Sequence, residues 1–144
     1  DPWPAINRAI QRAPETDLEA DLAFFAGPLG ERGTISNIQV ENLTVGTLFQ
    51  AAYRNMAENY RRCAERICPA ADWKRVVLSG SLPQNSPPLR QAIEREFRCP
   101  YRVCDGSEDT LWGLLIQALV ISGRASNFKN ASQQVRHALS GRND

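Results

Sequence analysis

The chain has 144 residues, 17 Lys and Arg against 16 Asp and Glu, one His and four Cys. That length fits one domain and buries about two-thirds of its unfolded surface without a metal or disulfide. Hydrophobic residues at 42% and charged residues at 23% set disordered and fibrous classes aside, and a net charge of +1 offers no field to gather nucleic acid or an anionic membrane.

The chain starts at Asp1-Pro2 rather than Met, so the expectation is a chain processed, trimmed or cut from something longer. It shows no basic region followed by an apolar core, as a signal peptide would. Pro2-Trp3-Pro4 leads into a helix over Ala5 to Ala13, with Ile6, Ala9, Ile10 and Ala13 at helical spacing and Pro14 as its stop. Leu22 to Phe25 reads as a short strand, Gly27-Pro28-Leu29-Gly30 as a turn, and Gly33 to Val40 as a loop or strand. Val45 to Ile67 is the clearest element. Val45, Leu48, Phe49, Ala52, Met56, Tyr60, Cys63, Ala64 and Ile67 recur at three and four residues, with Arg54, Arg61 and Arg62 on a solvated face. Thr44 caps this helix and Pro69 stops it.

A strand follows over Arg75 to Ser79, then a loop over Gly80 to Asn85. Ser86 serves as N-cap and Pro87 as first residue of a helix that turns Leu89, Ile93 and Phe97 to one side and ends near Arg98. Pro100 to Cys104 is a second strand. Strand, helix, strand predicts a parallel pair with a right-handed crossover. Ser107 caps a last long helix, Glu108 to Ser122, with Glu108 and Asp109 at its positive end and Gly123 beyond it. Its run Leu114 to Ile121 is interrupted by Gln117, which reads as a buried helix rather than a span of about 18 apolar residues. Residues 124 to 144 read as a polar tail with a short amphipathic turn around Val135, Ala138 and Leu139.

The cysteines, Cys63, Cys68, Cys99 and Cys104, fall in two pairs with four residues between partners. That gap is at the edge of zinc spacing, and the one His, His137, is far away. Zinc and disulfides remain open, beside the expected reading of reduced packing residues in a cytoplasmic protein. Adjacent Glu108 and Asp109 diverge on a helix and cannot face each other. Trp3, Trp73 and Trp112 are scattered and build no stacking platform. No nucleophile elbow is present.

Ligands of open α/β sheets sit outside the carboxyl ends of strands, so the loop after the first parallel strand is the place to look. It reads Ser79-Gly80-Ser81-Leu82-Pro83-Gln84-Asn85-Ser86. Gly80 lets the backbone turn or approach a flat ligand, and Ser79, Ser81, Gln84 and Asn85 supply neutral donors and acceptors. This set suits a nucleoside base or ribose, but taken alone the loop reads first as a plain polar connection capped by Ser86, since one Gly is a weak signal. It lacks the second Gly and the Lys of a P-loop.

Phe25 to Ser126 resembles the C-terminal domain of FGGY-family carbohydrate kinases, in the xylulokinase-like or sedoheptulokinase-like branches. Four segments in order carry the likeness. Gly30 to Ile38 (GERGTISNI) resembles the opening of that domain, and Asn42 to Ala52 (NLTVGTLFQAA) the start of its long helix. Val76 to Ser86 (VVLSGSLPQNS) is similar to the Gly-rich adenosine loop. Glu108 to Leu115 (EDTLWGLL) is similar to the final helix, where a small residue, here Gly113, packs closely. A single Gly80 stands between Ser79 and Ser81 where the family shows two or three consecutive Gly.

The resemblance implies an α/β fold: part of an actin-like, ribonuclease H-like kinase C-terminal domain, with a mixed sheet and helices. Its divisions would be a helical segment at 1–21, the kinase-like domain at 22–126 and a polar tail with a short helix at 127–144. It implies ATP as cofactor, with Mg in the parent enzyme, and Gly80, Ser81, Gln84 and Asn85 lining the adenosine side. The parent activity would be transfer of the γ-phosphate to a sugar hydroxyl. The expected partners are the nucleotide, the missing N-terminal kinase domain and a sugar substrate, with a homo-oligomer as a further option and neither nucleic acid nor membrane. No catalytic or metal-binding residue is assigned, and the chain alone is expected to be inactive. The alternatives are a degenerate kinase-like domain that binds a partner or regulates, and an unrelated small enzyme.

Overall fold

A computed structural model describes residues 1–23, 26–104 and 109–140. The architecture is mixed α/β, with six helices and two two-stranded sheets among the described residues. The chain forms two compact units, Asp1–Val103 and Cys104–Asp144.

The first unit begins with α1, Trp3–Arg12. Pro4 sits in its first turn, where a missing N–H costs nothing, and Ala13 turns extended (ψ 138°), as the residue before Pro14 must. The next strand is β1, Glu19–Asp21, not Leu22 to Phe25 as the apolar run suggests. It pairs antiparallel with β2, Thr34–Ser36, in the register Glu19 with Ser36, Ala20 with Ile35 and Asp21 with Thr34. Alternation decides this: Ala20 packs inward with Leu18 and Ala51, while its neighbours face out. Leu22 has left the ladder, its N–H donating to Asn55 Oδ1 at 2.9 Å, and Phe24 and Phe25 lie outside the described residues. Gly27 and Gly30 close the expected turn with reciprocal backbone bonds of 3.0 and 3.3 Å.

The long helix α2 spans Val45–Ile67, as its periodicity predicts. Its cap is fuller than Thr44 alone. Thr44 Oγ1 accepts from the Thr47 N–H at 3.3 Å, and Thr47 Oγ1 accepts from the Thr44 N–H at 3.1 Å. Thr47 thus does the work of the usual Glu in a capping box, and its hydroxyl also meets the Asn42 carbonyl. The most buried residues of α2 are Gly46, Thr47, Ala51, Tyr53 and Ala57, beside the apolar stripe rather than on it, whereas Val45, Tyr60 and Ile67 are exposed. The reason is that α2 is flanked by α1, by β1 and by α4, Pro87–Phe97. Two of its four arginines, Arg54 and Arg61, are tied down as well. Arg54 donates to the Leu18 carbonyl at 2.6 Å, and Arg61 bridges Glu65 at 2.9 Å and the Glu96 carbonyl at 2.9 Å.

Between α2 and α4 come β3, Val76–Leu78, and a short α3, Ser81–Asn85. After α4, the chain turns at Arg98 in the left-handed region (φ 53°) and enters β4, Tyr101–Val103. β3 and β4 are parallel, Val76 opposite Tyr101 and Leu78 opposite Val103, as expected. Ile10, Tyr53, Ala57, Leu78, Leu89 and Ile93 form the main core, drawn from α1, α2, β3 and α4. The backbones of α1 and α2 nearly touch at Gly46. A Cβ there would collide with the Ala9 carbonyl oxygen and lie 2.8 Å from Ala13 Cβ.

In the second unit α5, Asp109–Ile121, packs with α6, Phe128–Ser140. The expected cap Ser107, and Glu108, lie outside the described residues. Gly123 follows α5 with φ 71°, the left-handed conformation of a helix end. The expectation of a buried α5 is corrected: Leu111, Leu114, Leu115 and Ile121 are exposed. A Cβ on Gly113 would meet nothing within 4 Å, so the close packing implied for that glycine is not made among the described residues. The polar tail is also more ordered in form than expected. Asn127 Oδ1 caps α6 by accepting from the Asn130 N–H at 2.9 Å, and Ala131 and Val135 are buried one turn apart. No helix among the described residues is long and apolar enough to cross a membrane.

Candidate functional site

The βα junction at the carboxyl end of β3 holds all four expected residues, but as a short helix rather than a loop. Leu78 is the last core residue of the strand. Gly80 then takes φ 95° and ψ 166°, a conformation open in practice only to glycine, and the chain turns directly into α3. A Cβ on Gly80 would meet nothing within 4 Å. The glycine is therefore required by its backbone angles and not by crowding. Pro83 is tolerated because it falls in the first turn, where its N–H would have no helical partner.

The side chains are partly engaged with the segment itself. Asn85 Nδ2 donates to the Ser81 carbonyl at 2.9 Å, so two of the four expected residues bind each other. Ser81 and Asn85 are exposed, and Gly80 and Gln84 half-buried. Arg90, from the next helix, donates through one nitrogen to the Pro83 carbonyl at 2.7 Å and the Gln84 carbonyl at 2.9 Å. That guanidinium satisfies carbonyls at the end of α3. Ser86 holds the N-cap position of α4, with Pro87 following as expected, but its side chain makes no capping bond. It is fully buried, and its Oγ donates to Asn7 Oδ1 at 3.3 Å. None of Gly80, Ser81, Gln84 and Asn85 titrates near neutrality, so the surface they form is a neutral, hydrogen-bonding one.

Two cavities in the first unit lie elsewhere, and sequence reasoning missed both because their walls come from distant segments. One, of about 530 Å³, is lined by Asp17, Glu19, Asp21, Arg54, Asn55 and Glu58 among others. The other, of about 560 Å³, lies between α1, α2 and α4, with Ile10, Tyr53, Ala57, Pro88, Gln91 and Arg95 in its wall. Among the described residues no group of three or more His, Cys, Asp or Glu is placed to hold a metal ion. None of the four cysteines is in a disulfide, and Cys68 Sγ donates to Asp72 Oδ1 at 3.3 Å. Tyr60 is about half exposed, and the partial burial of its ring raises the hydroxyl above its ordinary pKa; His137 is exposed on α6, and neither belongs to the β3–α3 junction.

Tyr53 carries a buried hydroxyl with no hydrogen-bond partner among the described residues. An unsatisfied buried hydroxyl costs about 1–3 kcal/mol, whereas its apolar isostere carries no such penalty. Tyr53→Phe is therefore expected to stabilise the protein by about 1 kcal/mol. A urea titration checks this; a lower midpoint in the variant would mean that the hydroxyl is satisfied.

No protein-family model, no curated protein and no solved structure matches the chain.

Proposed function

We propose that the chain is the nucleotide-side part of an ATP-dependent sugar kinase with an actin-like fold, acting in the cytoplasm. The single observation that carries this reading is the β3–α3 junction. A parallel strand pair ends in a glycine held at φ 95°, followed at once by neutral hydrogen-bonding side chains. In α/β sheets this is where ligands are met. Gly80 would place bare backbone against the adenine or ribose. Ser81, Gln84 and Asn85 would offer hydrogen bonds to ribose hydroxyls or base edges. Arg90 already holds carbonyls of this segment, and no Lys or Arg lies within residues 79–86, so the triphosphate is not gripped here. Phosphate clamps, Mg and the carboxylate that deprotonates the sugar hydroxyl would come from the opposite lobe, as phosphoryl transfer requires.

The test is calorimetric titration of ADP and ATP into the full chain, with Gly80→Val beside it. Binding in the millimolar range or tighter is expected for the parent. It should be lost in the variant, because valine at φ 95° forces the segment out of shape. No heat at millimolar nucleotide, or equal binding by both proteins, overturns the reading.

A second reading, a kinase-like domain that works by binding a partner, is favoured by the exposed Leu111, Leu114, Leu115 and Ile121 of α5. Light scattering separates the two: a clean monomer at high concentration with measurable nucleotide affinity supports the first.

A further inference from the structure

We infer that Asn7, on α1, is a positioning residue for the α3 segment, and that it sets the affinity of the β3–α3 junction for a nucleoside. The inference rests on the reading of that junction as a nucleotide site. α3 has five residues, too few to hold a helix by its own hydrogen bonds. Its shape must come from groups outside it. Arg90 supplies one anchor, from only six and seven residues further along the chain. Asn7 supplies another from 78 residues away: its Nδ2 donates to the Asn85 carbonyl at 2.8 Å. The same amide turns its Oδ1 to the Ser86 hydroxyl, which is fully buried and needs a partner.

One side chain thus clasps both residues at the α3–α4 corner. The base that carries it is rigid. Ile10 anchors α1 in the main core, and the Gly46 contact presses the last turn of α1 onto α2. The two anchors have different effects. Arg90 fixes the end of α3 relative to α4; Asn7 fixes it relative to α1. Without Asn7, α3 keeps the Arg90 anchor and loses one of its two bearings. A ligand then has to restore the lost order as it binds, which lowers affinity.

The test combines three variants with two readouts on the full chain. In Asn7→Ala, amide exchange followed by mass spectrometry should quicken over residues 80–86 and stay unchanged over α2. ADP affinity should fall about five- to tenfold, the size expected for losing an ordering hydrogen bond. Asn7→Asp keeps the acceptor for Ser86 but sets a carboxylate oxygen against the Asn85 carbonyl, an acceptor facing an acceptor, so it should be at least as weak as alanine. Asn7→Gln retains both groups and should recover part of the affinity. Unchanged exchange over 80–86 in Asn7→Ala overturns the inference. So does faster exchange spread through α2, since Asn7 would then be a general structural residue. If the parent protein does not bind ADP, the nucleotide reading falls, and the exchange measurement still decides whether Asn7 orders the segment.

Discussion

Leu89→Ala is expected to cost about 2–5 kcal/mol. Leu89 is 0% exposed and sits where four elements converge: it shares a cluster with Ile10 of α1, Tyr53 and Ala57 of α2, Leu78 of β3 and Ile93 of its own helix. Removing three carbons takes away their transfer energy and leaves a void that the surrounding elements cannot easily fill, because each is pinned by the others. Domains of this size are stable by only about 5–15 kcal/mol, so the variant should approach half-unfolding in mild denaturant. Val40→Ala serves as control. Val40 is 92% exposed, and its truncation should stay within about 0.5 kcal/mol. If Leu89→Ala and Val40→Ala melt together in a urea titration, the arrangement of this core is wrong.

The second large effect is expected at Gly46. Glycine to alanine inside a helix ordinarily gains up to about 1 kcal/mol. Here the sign reverses. The new methyl would overlap the Ala9 carbonyl oxygen and crowd Ala13 Cβ at 2.8 Å. The Ala9 carbonyl cannot simply yield, because it accepts the Ala13 N–H at 3.0 Å and so closes α1 before Pro14. Overpacking of this kind costs about 1–3 kcal/mol, more than helix propensity returns at the second residue of α2. Chemical denaturation of Gly46→Ala measures the net. A rise in stability would show that α1 and α2 do not approach as closely as described.

How much of this was legible beforehand varied with the element. α2 could be read to the residue, because 23 residues give many turns over which period, cap and proline stop agree. The parallel β3–β4 pair was legible from strand, helix and strand in sequence. α3 was not, because five residues hold too little periodicity to register and Gly, Ser and Pro all signal a loop. The strand at Glu19–Asp21 was hidden for another reason: its assignment depends on pairing with residues 34–36, while the apolar run beside it, Leu22 to Phe25, has the more strand-like composition. Within the candidate site, Gly80 and its neighbours were found by their position after a strand. Asn7 and Arg90 were not, since the contact of Asn7 spans 78 residues and Arg90 was read only as part of a helix. Ser86 illustrates the same limit. Its place before Pro87 fits a cap, yet its hydroxyl serves a tertiary partner instead.

Finally, α2 is the wall that both hydrophobic clusters of the first unit share. Tyr53 and Ala57 belong to the larger one, and Ala51, with Leu18 and Ala20, to the smaller. If α2 frays across residues 51–57, both clusters lose a side at once. The β1–β2 hairpin therefore has no refuge of its own when the main core melts. Heat or denaturant should take Asp1–Val103 apart in a single cooperative step, with no half-folded form in which one cluster outlives the other.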